Sequence, residues 1–488
     1  NMTLSQRMSQ LLQSLEAGIT EREFCFELTF LATILKEPVY LYGRSGSGKS
    51  LIIKRIWAAF KDGKVFIVNK RHPNFPEHLQ DYGIVTFQSF DGTDEMYKKN
   101  AQIGLCYKDD YSLIITGAQR PEVALNAAEI AYKMPLIVSV PESLSSSALC
   151  SLLQDPEVQK KPSLAENIAV TAEEKKEWAD KIMKITLSPD TLEIIGKIAE
   201  VCANNNIYIP IRKWIAYSNM MKAIAFFNER TETRMTDTLF LGTYMWGRNS
   251  SNKLISESFR NLLKEKLVPE ELRQDAKDYD LDNLVERVEK ITRKSNNRYD
   301  SILFAGEFCV TYSIVIGGEK ATLYVPVRYI ETSEDFHPYG DTAQQEKAIK
   351  CNFHGTTNCS IAVHASVKQT GLRGKGMRNT TNLTGPFDHF ASLPTAILKG
   401  NDNDIIMQKK AKMEGIEVEI KRAAEKESRK LLELKKIYHN LNGARNDLFL
   451  YKEIFNELQD HIRKEFELTS HSITKIKEVH KLVTSIGV

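Results

Sequence analysis

The chain has 488 residues, enough for about three domains with cores of their own, and its 66 Lys and Arg face 63 Asp and Glu. A net charge of +3 argues against a protein that holds nucleic acid by general charge attraction. Seven scattered cysteines read as reduced thiols, no apolar run approaches a membrane span, and no signal-peptide pattern is present, so a cytoplasmic protein is expected, with Asn1 before Met2 as an expression remnant.

In chain order, residues 4–37 read as helical, with Leu11, Leu12 and Leu15 on one face and a second apolar run from Phe24 to Leu35. Apolar strand candidates then recur at Pro38–Tyr42, Val65–Val68, Ile84–Phe87, Leu113–Thr116 and Leu136–Val140. Helical patterns lie between several of them, notably Pro121–Tyr132, which predicts a parallel sheet with helices on its faces. From about 148 to 248 the pattern is helical, with Leu187-Ser188-Pro189-Asp190 as a helix entry. A charged helix is predicted around Asp275–Asn297. Residues 298–407 change character: Tyr299–Ile316, Thr322–Tyr329 and Ser360–Val367 read as strands, with Gly317-Gly318 as a hairpin turn. Beyond about 408 the chain returns to long charged helices, with Ile416, Ile420, Leu431, Leu434 and Ile437 at coiled-coil-like spacing. A β module between helical segments predicts an insertion into a helical domain.

The motif with the sharpest chemistry is Gly43-Arg44-Ser45-Gly46-Ser47-Gly48-Lys49-Ser50, a complete G-x-x-x-x-G-K-[ST] phosphate loop between a strand and a helical run beginning at Leu51. Its glycines let backbone N–H groups curl around a phosphate, and the helix N-terminus adds its positive dipole end. Lys49 would reach the β- and γ-phosphates, and Ser50 would ligate Mg²⁺.

With these residues in view, the chain resembles the MoxR family of AAA+ ATPases, and within it the RavA-type branch. Leu15-Glu16-Ala17-Gly18-Ile19-Thr20-Glu21-Arg22 is similar to the family's entry segment, and Arg212-Lys213-Trp214 with Ala223–Phe227 resembles the branch's lid helices. The resemblance implies an α/β P-loop AAA+ core over residues 1–147 and an all-α lid over 148–248. A discontinuous helical domain would follow over 249–297 and 408–488, interrupted by a β-rich client-docking module over 298–407. It implies ATP or ADP held with Mg²⁺ by Gly43 through Leu51, with Arg212 as a lid sensor near the γ-phosphate or else an ordinary surface arginine. It also implies a homo-oligomeric ring, a hexamer in the family, a partner carrying a von Willebrand factor A domain, and remodelling of a protein client.

Three family features are missing from the pattern. The Walker B strand, which should end in Asp-Glu, matches Ile84–Phe87 and runs into Gln88-Ser89, leaving Asp91 as the nearest acid or simply a turn residue. The polar sensor after Leu113–Thr116 is at best Gln119, and Asp109 and Asp110 precede that strand at the wrong edge of the sheet. The arginine finger appears as Lys133, a point charge without the planar fork. The alternative to a working ATPase is therefore a pseudo-ATPase scaffold. Elsewhere, Cys351, His354, Cys359 and His364 are spaced close to a zinc-knuckle pattern, or else Ile361–Val367 alternates as a strand with His364 pointing outward. Gly371–Arg378 is a basic glycine-rich loop, suited to an acidic partner or to solvent.

Overall fold

The computed structural model describes residues 1–61, 63–71, 81–107, 109–125, 130, 133–156, 161–246, 252–274, 279–295, 302–316, 319–330, 332–353, 358–363, 381–386 and 402–486. They fall into two compact units, one of residues 1–270 and 435–464, the other of residues 271–434 and 465–488.

The first unit opens with α1 (Leu4–Glu16), started by a capping box in which Thr3 and Gln6 satisfy each other's backbone N–H. Its Met8, Leu11, Leu12 and Leu15 recur at helical spacing and are buried. α2 (Glu23–Leu35) is apolar on nearly every side, and the buried Thr29 and Thr33 hydroxyls bond back to Cys25 and Thr29 carbonyls at 2.7 and 2.8 Å. Lys36, with φ 55°, ends it in a left-handed cap.

The sheet comprises β1 (Val39–Tyr42), β2 (Val65–Val68), β3 (Ile84–Phe87), β4 (Ser112–Gly117) and β5 (Leu136–Ser139), in the order β2-β3-β4-β1-β5. All pairings are parallel; Val39 lies opposite Ile114 on one side and Leu136 on the other. β3 and β4 are buried at every position, as expected of strands covered on both faces. Intervening helices are α3 (Lys49–Ala59), α4 (Glu95–Cys106) and α5 (Pro121–Ala124), the start of the predicted Pro121–Tyr132, of which residues 126–129, 131 and 132 lie outside the described residues. Since the strands are parallel, the segments after β1, β3, β4 and β5 share one edge, where open α/β sheets hold their ligands. Asp109 and Asp110 lie at the opposite edge, before β4.

Helices continue with α6 (Ser146–Gln154), α7 (Ala172–Ile182), α8 (Pro189–Asn204), α9 (Ile211–Phe227), α10 (Leu241–Tyr244) and α11 (Asn252–Leu267). α8 starts where Ser188-Pro189 predicts: the Ser188 hydroxyl accepts the Thr191 N–H at 3.1 Å and Pro189 fills the first helical position. Arg7 of α1 grips Glu174 of α7 through two parallel hydrogen bonds and lies over the Trp178 ring. The late segment 435–464 belongs to this unit. Asn228 exchanges hydrogen bonds with the Leu448 backbone at 2.9 and 2.8 Å, and Phe24, Tyr244 and Tyr451 form a ring cluster.

The second unit contains α12 (Leu281–Ser295) and a three-stranded antiparallel sheet of β6 (Ile302–Phe304), β7 (Glu307–Ile316) and β8 (Glu319–Pro326). A second antiparallel sheet joins β9 (Asp335–Phe336), β10 (Ile349–Phe353), β11 (Asn358–Val363) and β12 (Thr381–Pro386). The described part of the predicted Tyr299–Ile316 strand, from Ile302 on, is thus a hairpin rather than one strand. Val310, Tyr312, Leu323, Val325, Phe336, Ile349 and Phe353 share one β core. The long helices α13 (Asp402–Asn442) and α14 (Lys452–Ile486) follow, and within this unit Ile416 and Ile420 pack with Leu284, Ile476, Val479 and Val483. Gly317-Gly318, His354, His364 and Gly371–Arg378 lie outside the described residues. Of the four candidate zinc ligands, Cys351 is buried on β10 and Cys359 lies on β11 opposite Phe353.

Candidate functional site at the carboxyl edge of the parallel sheet

The sheet delivers Gly43 directly from β1, and its N–H donates to the Gly117 carbonyl of β4 at 3.1 Å. A β-carbon on Gly43 would lie 2.8 Å from Ser47 Oγ and 3.1 Å from the Val140 carbonyl oxygen, so any side chain there would crowd the loop. Gly46 and Gly48 adopt φ of +83° and +105°, conformations that L side chains rarely take. Arg44, Ser45 and Gly46 are exposed at the crest, whereas Ser47 is buried and its Oγ has no hydrogen-bond partner. α3 starts at Lys49, and the Leu51 and Ile52 N–H groups close its first turn on the Gly48 carbonyl. Ser50 is exposed at this turn.

The Lys49 ammonium folds back onto the loop, donating to the Gly43 carbonyl at 2.5 Å and the Arg44 carbonyl at 2.9 Å. Burial lowers its proton affinity. The loop therefore carries a cation, a helix N-terminus, an unpartnered buried hydroxyl and two left-handed glycines in one concavity. That donor set fits an anion of phosphate type.

The rest of the edge is less well furnished. β3 ends at Phe87; Gln88 is half-buried with its carbonyl held by the Tyr97 hydroxyl, and Ser89 is exposed with φ 55°. Asp91 pairs closely with Lys70 and accepts from the Thr93 N–H at 2.9 Å and hydroxyl at 2.7 Å. Burial alone would raise the Asp91 carboxyl, but Lys70 and the Thr93 donors outweigh it and hold it down at about 2. It is a firmly ionised turn acid rather than a base poised for proton transfer. After β4, the Gln119 side chain is exposed, and its carbonyl takes the Tyr40 hydroxyl at 2.7 Å. Lys133 directs its ammonium to Cys106 Sγ within the same chain at 3.6 Å.

On α9, Arg212 is exposed in the first turn, while its neighbour Lys213 is buried. The Lys213 ammonium donates to the Trp246 carbonyl at 3.2 Å, and burial pushes it down to about 8. Trp246 in turn meets the edge of Tyr42 at the end of β1. Sequence reasoning singled out Arg212 and assigned Lys213 no role; only packing tells which of two adjacent cations turns inward. A second residue without an assigned role is Arg22, whose Nε donates to the Ser47 carbonyl at 2.6 Å. A signal for it exists in the chain: a cation at a helix N-terminus opposes the dipole and needs another reason to be there.

Comparison with known proteins agrees with this layout. Residues 190–259, from α8 through the first turns of α11, match the model of the AAA lid domain. A solved structure from Cytophaga hutchinsonii ATCC 33406, provisionally assigned as an ATPase, is similar at 11% identity, covering 53% of this chain and 94% of that one, with a TM-score of 0.42. That likeness is too slight to carry function. A phosphate loop after β1, which lies between β4 and β5 in a five-stranded parallel sheet, and a later segment that matches the AAA lid domain fit an α/β AAA+ core with a helical lid. No helix among the described residues is long and apolar enough to cross a membrane.

Proposed function

We propose that the chain is a MoxR-type AAA+ protein of the RavA-like branch that holds ATP or ADP at Gly43–Ser50. The observation that carries this reading is the loop itself, in which Lys49 and the unpartnered Ser47 Oγ converge on left-handed glycines at the carboxyl end of β1. Lys49 and the backbone from Gly43 to Leu51 would hold the phosphates, and Ser50 would hold the Mg²⁺ that neutralises their charge. Arg212 is proposed as the lid's contribution to the same site. By the same resemblance the protein would assemble into a homo-oligomeric ring in the cytoplasm, act with a von Willebrand factor A domain protein, and remodel a client docked on the β module of residues 298–407.

A second reading is favoured by Gln88 and Ser89, which supply no carboxylate at the end of β3. On this reading the chain is a pseudo-ATPase, a scaffold that binds nucleotide and partners with little hydrolysis. Equilibrium titration with a fluorescent ATP analogue, with and without Mg²⁺, tests the common premise. Wild-type protein should bind, and Lys49→Ala should weaken binding by about 100-fold, the loss of roughly 3 kcal/mol. Absence of wild-type binding at millimolar analogue would end both nucleotide readings. The two readings separate in turnover. Installing Gln88→Asp with Ser89→Glu should raise steady-state phosphate release about 100-fold or more if only the carboxylates are missing, because metal placement and water orientation are most of the chemistry.

A further inference from the structure

The entry segment reaches the candidate site through two adjacent residues. Glu21 has φ 64°, a left-handed conformation unusual for a residue with a β-carbon. This turn sends neighbouring side chains to two different loops of the carboxyl edge. Arg22 donates from Nε to the Ser47 carbonyl at 2.6 Å, and its guanidinium lies against Gly48, where a β-carbon would come within 3.1 Å of Nε. The Glu21 carboxylate accepts the Ser145 N–H at 3.0 Å and the Ser145 hydroxyl. Ser145 is the N-cap of α6, its Oγ taking the Ala148 N–H at 3.2 Å.

We propose that Glu21-Arg22 is a two-armed strap in which Arg22 is a positioning residue of the phosphate loop and Glu21 ties that loop to the start of α6. A trans peptide is planar, with its C=O and N–H pointing in opposite directions. By holding the Ser47 carbonyl from outside, Arg22 turns the Gly48 N–H the other way, toward the concavity that an anion would fill. The hydrogen bond is charge-assisted, which makes it a strong constraint on one peptide plane. Because both arms leave one turn, ordering of the loop and capping of α6 are linked, and each favours the other. The functional consequence rests on the reading of Gly43–Ser50 as a nucleotide site; the linkage itself does not.

Amide hydrogen exchange on the nucleotide-free full chain tests it. The informative amides are Leu51 and Ile52, which bond to the Gly48 carbonyl, and Leu149, which bonds to the Ser145 carbonyl. Arg22→Ala should quicken exchange at Leu51 and Ile52 about tenfold, and Arg22→Lys, which can still donate to the carbonyl, should recover most of the protection. Glu21→Asn keeps a residue tolerant of the left-handed turn but shortens the arm. It should quicken exchange at Leu149 and also at Leu51 and Ile52, although its side chain touches neither. Unchanged exchange at Leu51 and Ile52 in Arg22→Ala, or an effect of Glu21→Asn confined to α6, would overturn the strap. Circular dichroism melts check that each variant is folded. If wild type binds the ATP analogue, Arg22→Ala should raise its Kd about tenfold with recovery in Arg22→Lys, and equal Kd values would also overturn the proposal. A wild type that binds no analogue would instead defeat the nucleotide reading and leave the exchange results to decide the strap.

Discussion

Replacing Lys175 by methionine should make the protein more stable at neutral pH, by an amount on the order of a few kcal/mol that vanishes at high pH. Lys175 lies on α7 and is 9% exposed, with its ammonium 2.6 Å from Ser112 Oγ and beside the Phe60 ring. Among the described residues no carboxylate pairs with it; burial, with a smaller push from Lys36, lowers it to about 7. In the unfolded chain the same amine holds its proton to a pH near the ordinary lysine value of about 10.4. Between these limits the unfolded state binds more protons, so stability rises with pH from about 7 to about 10 and the full penalty applies below 7. Methionine keeps the stem and removes the charge. Ser112 keeps a partner without Lys175, since its hydroxyl donates to the Thr33 carbonyl at 2.6 Å. Urea denaturation at pH 6, 8 and 10 reads the effect. A gain that does not shrink with rising pH would show that the ammonium is not the cause.

The opposite change is expected at Gly117. A β-carbon there would lie 2.3 Å from the Phe90 carbonyl oxygen and 2.5 Å from the Tyr40 hydroxyl. Because the first of these is backbone, rotation of a side chain cannot relieve it, and Gly117→Ala should destabilise by about 3 kcal/mol or more. The same residue accepts the Gly43 N–H at the root of the phosphate loop. Analogue binding should therefore fall in protein that is still folded at low temperature. Gly196, on the exposed side of α8 with nothing near its virtual β-carbon, is the control. Gly196→Ala should stabilise by roughly 0.5–1 kcal/mol through helix propensity alone. If the two variants melt alike, the close approach at Gly117 is not tight in solution.

Much of the first unit could be read from the chain because its signals are local. The five strands were marked by short apolar runs, and Ser188-Pro189 marked the start of α8. The phosphate loop was legible because glycine, lysine and serine must sit at fixed intervals for one backbone conformation. What was not legible depended on side-chain direction or on long-range packing. Arg212 and Lys213 are adjacent cations, and only the fold turns one outward and buries the other. Asp91 could be named as the nearest acid to β3, but its pairing with Lys70, 21 residues away, could not. Within the β region, Ala305 and Gly306, with φ of 53° and 81°, split the predicted first strand into a hairpin. A run rich in strand formers hid that turn, since only one of its two residues is glycine.

The return of residues 435–464 to the first unit has a consequence for how the protein is made. A ribosome emits the part of the first unit up to Glu270 before the 164 residues of the other unit, Glu271 to Leu434, and only then the completing segment. Until then Asn228 lacks its reciprocal partner at Leu448, and Gly242 lacks Ile454, whose Cδ1 comes within 2.2 Å of where its β-carbon would be. At roughly 5–20 residues per second, the nascent first unit waits on the order of ten seconds or more with that apolar seam uncovered. The chain order thus leaves the N-terminal part unable to complete its fold until residues 435–464 emerge, a window in which exposed apolar surface favours chaperone binding.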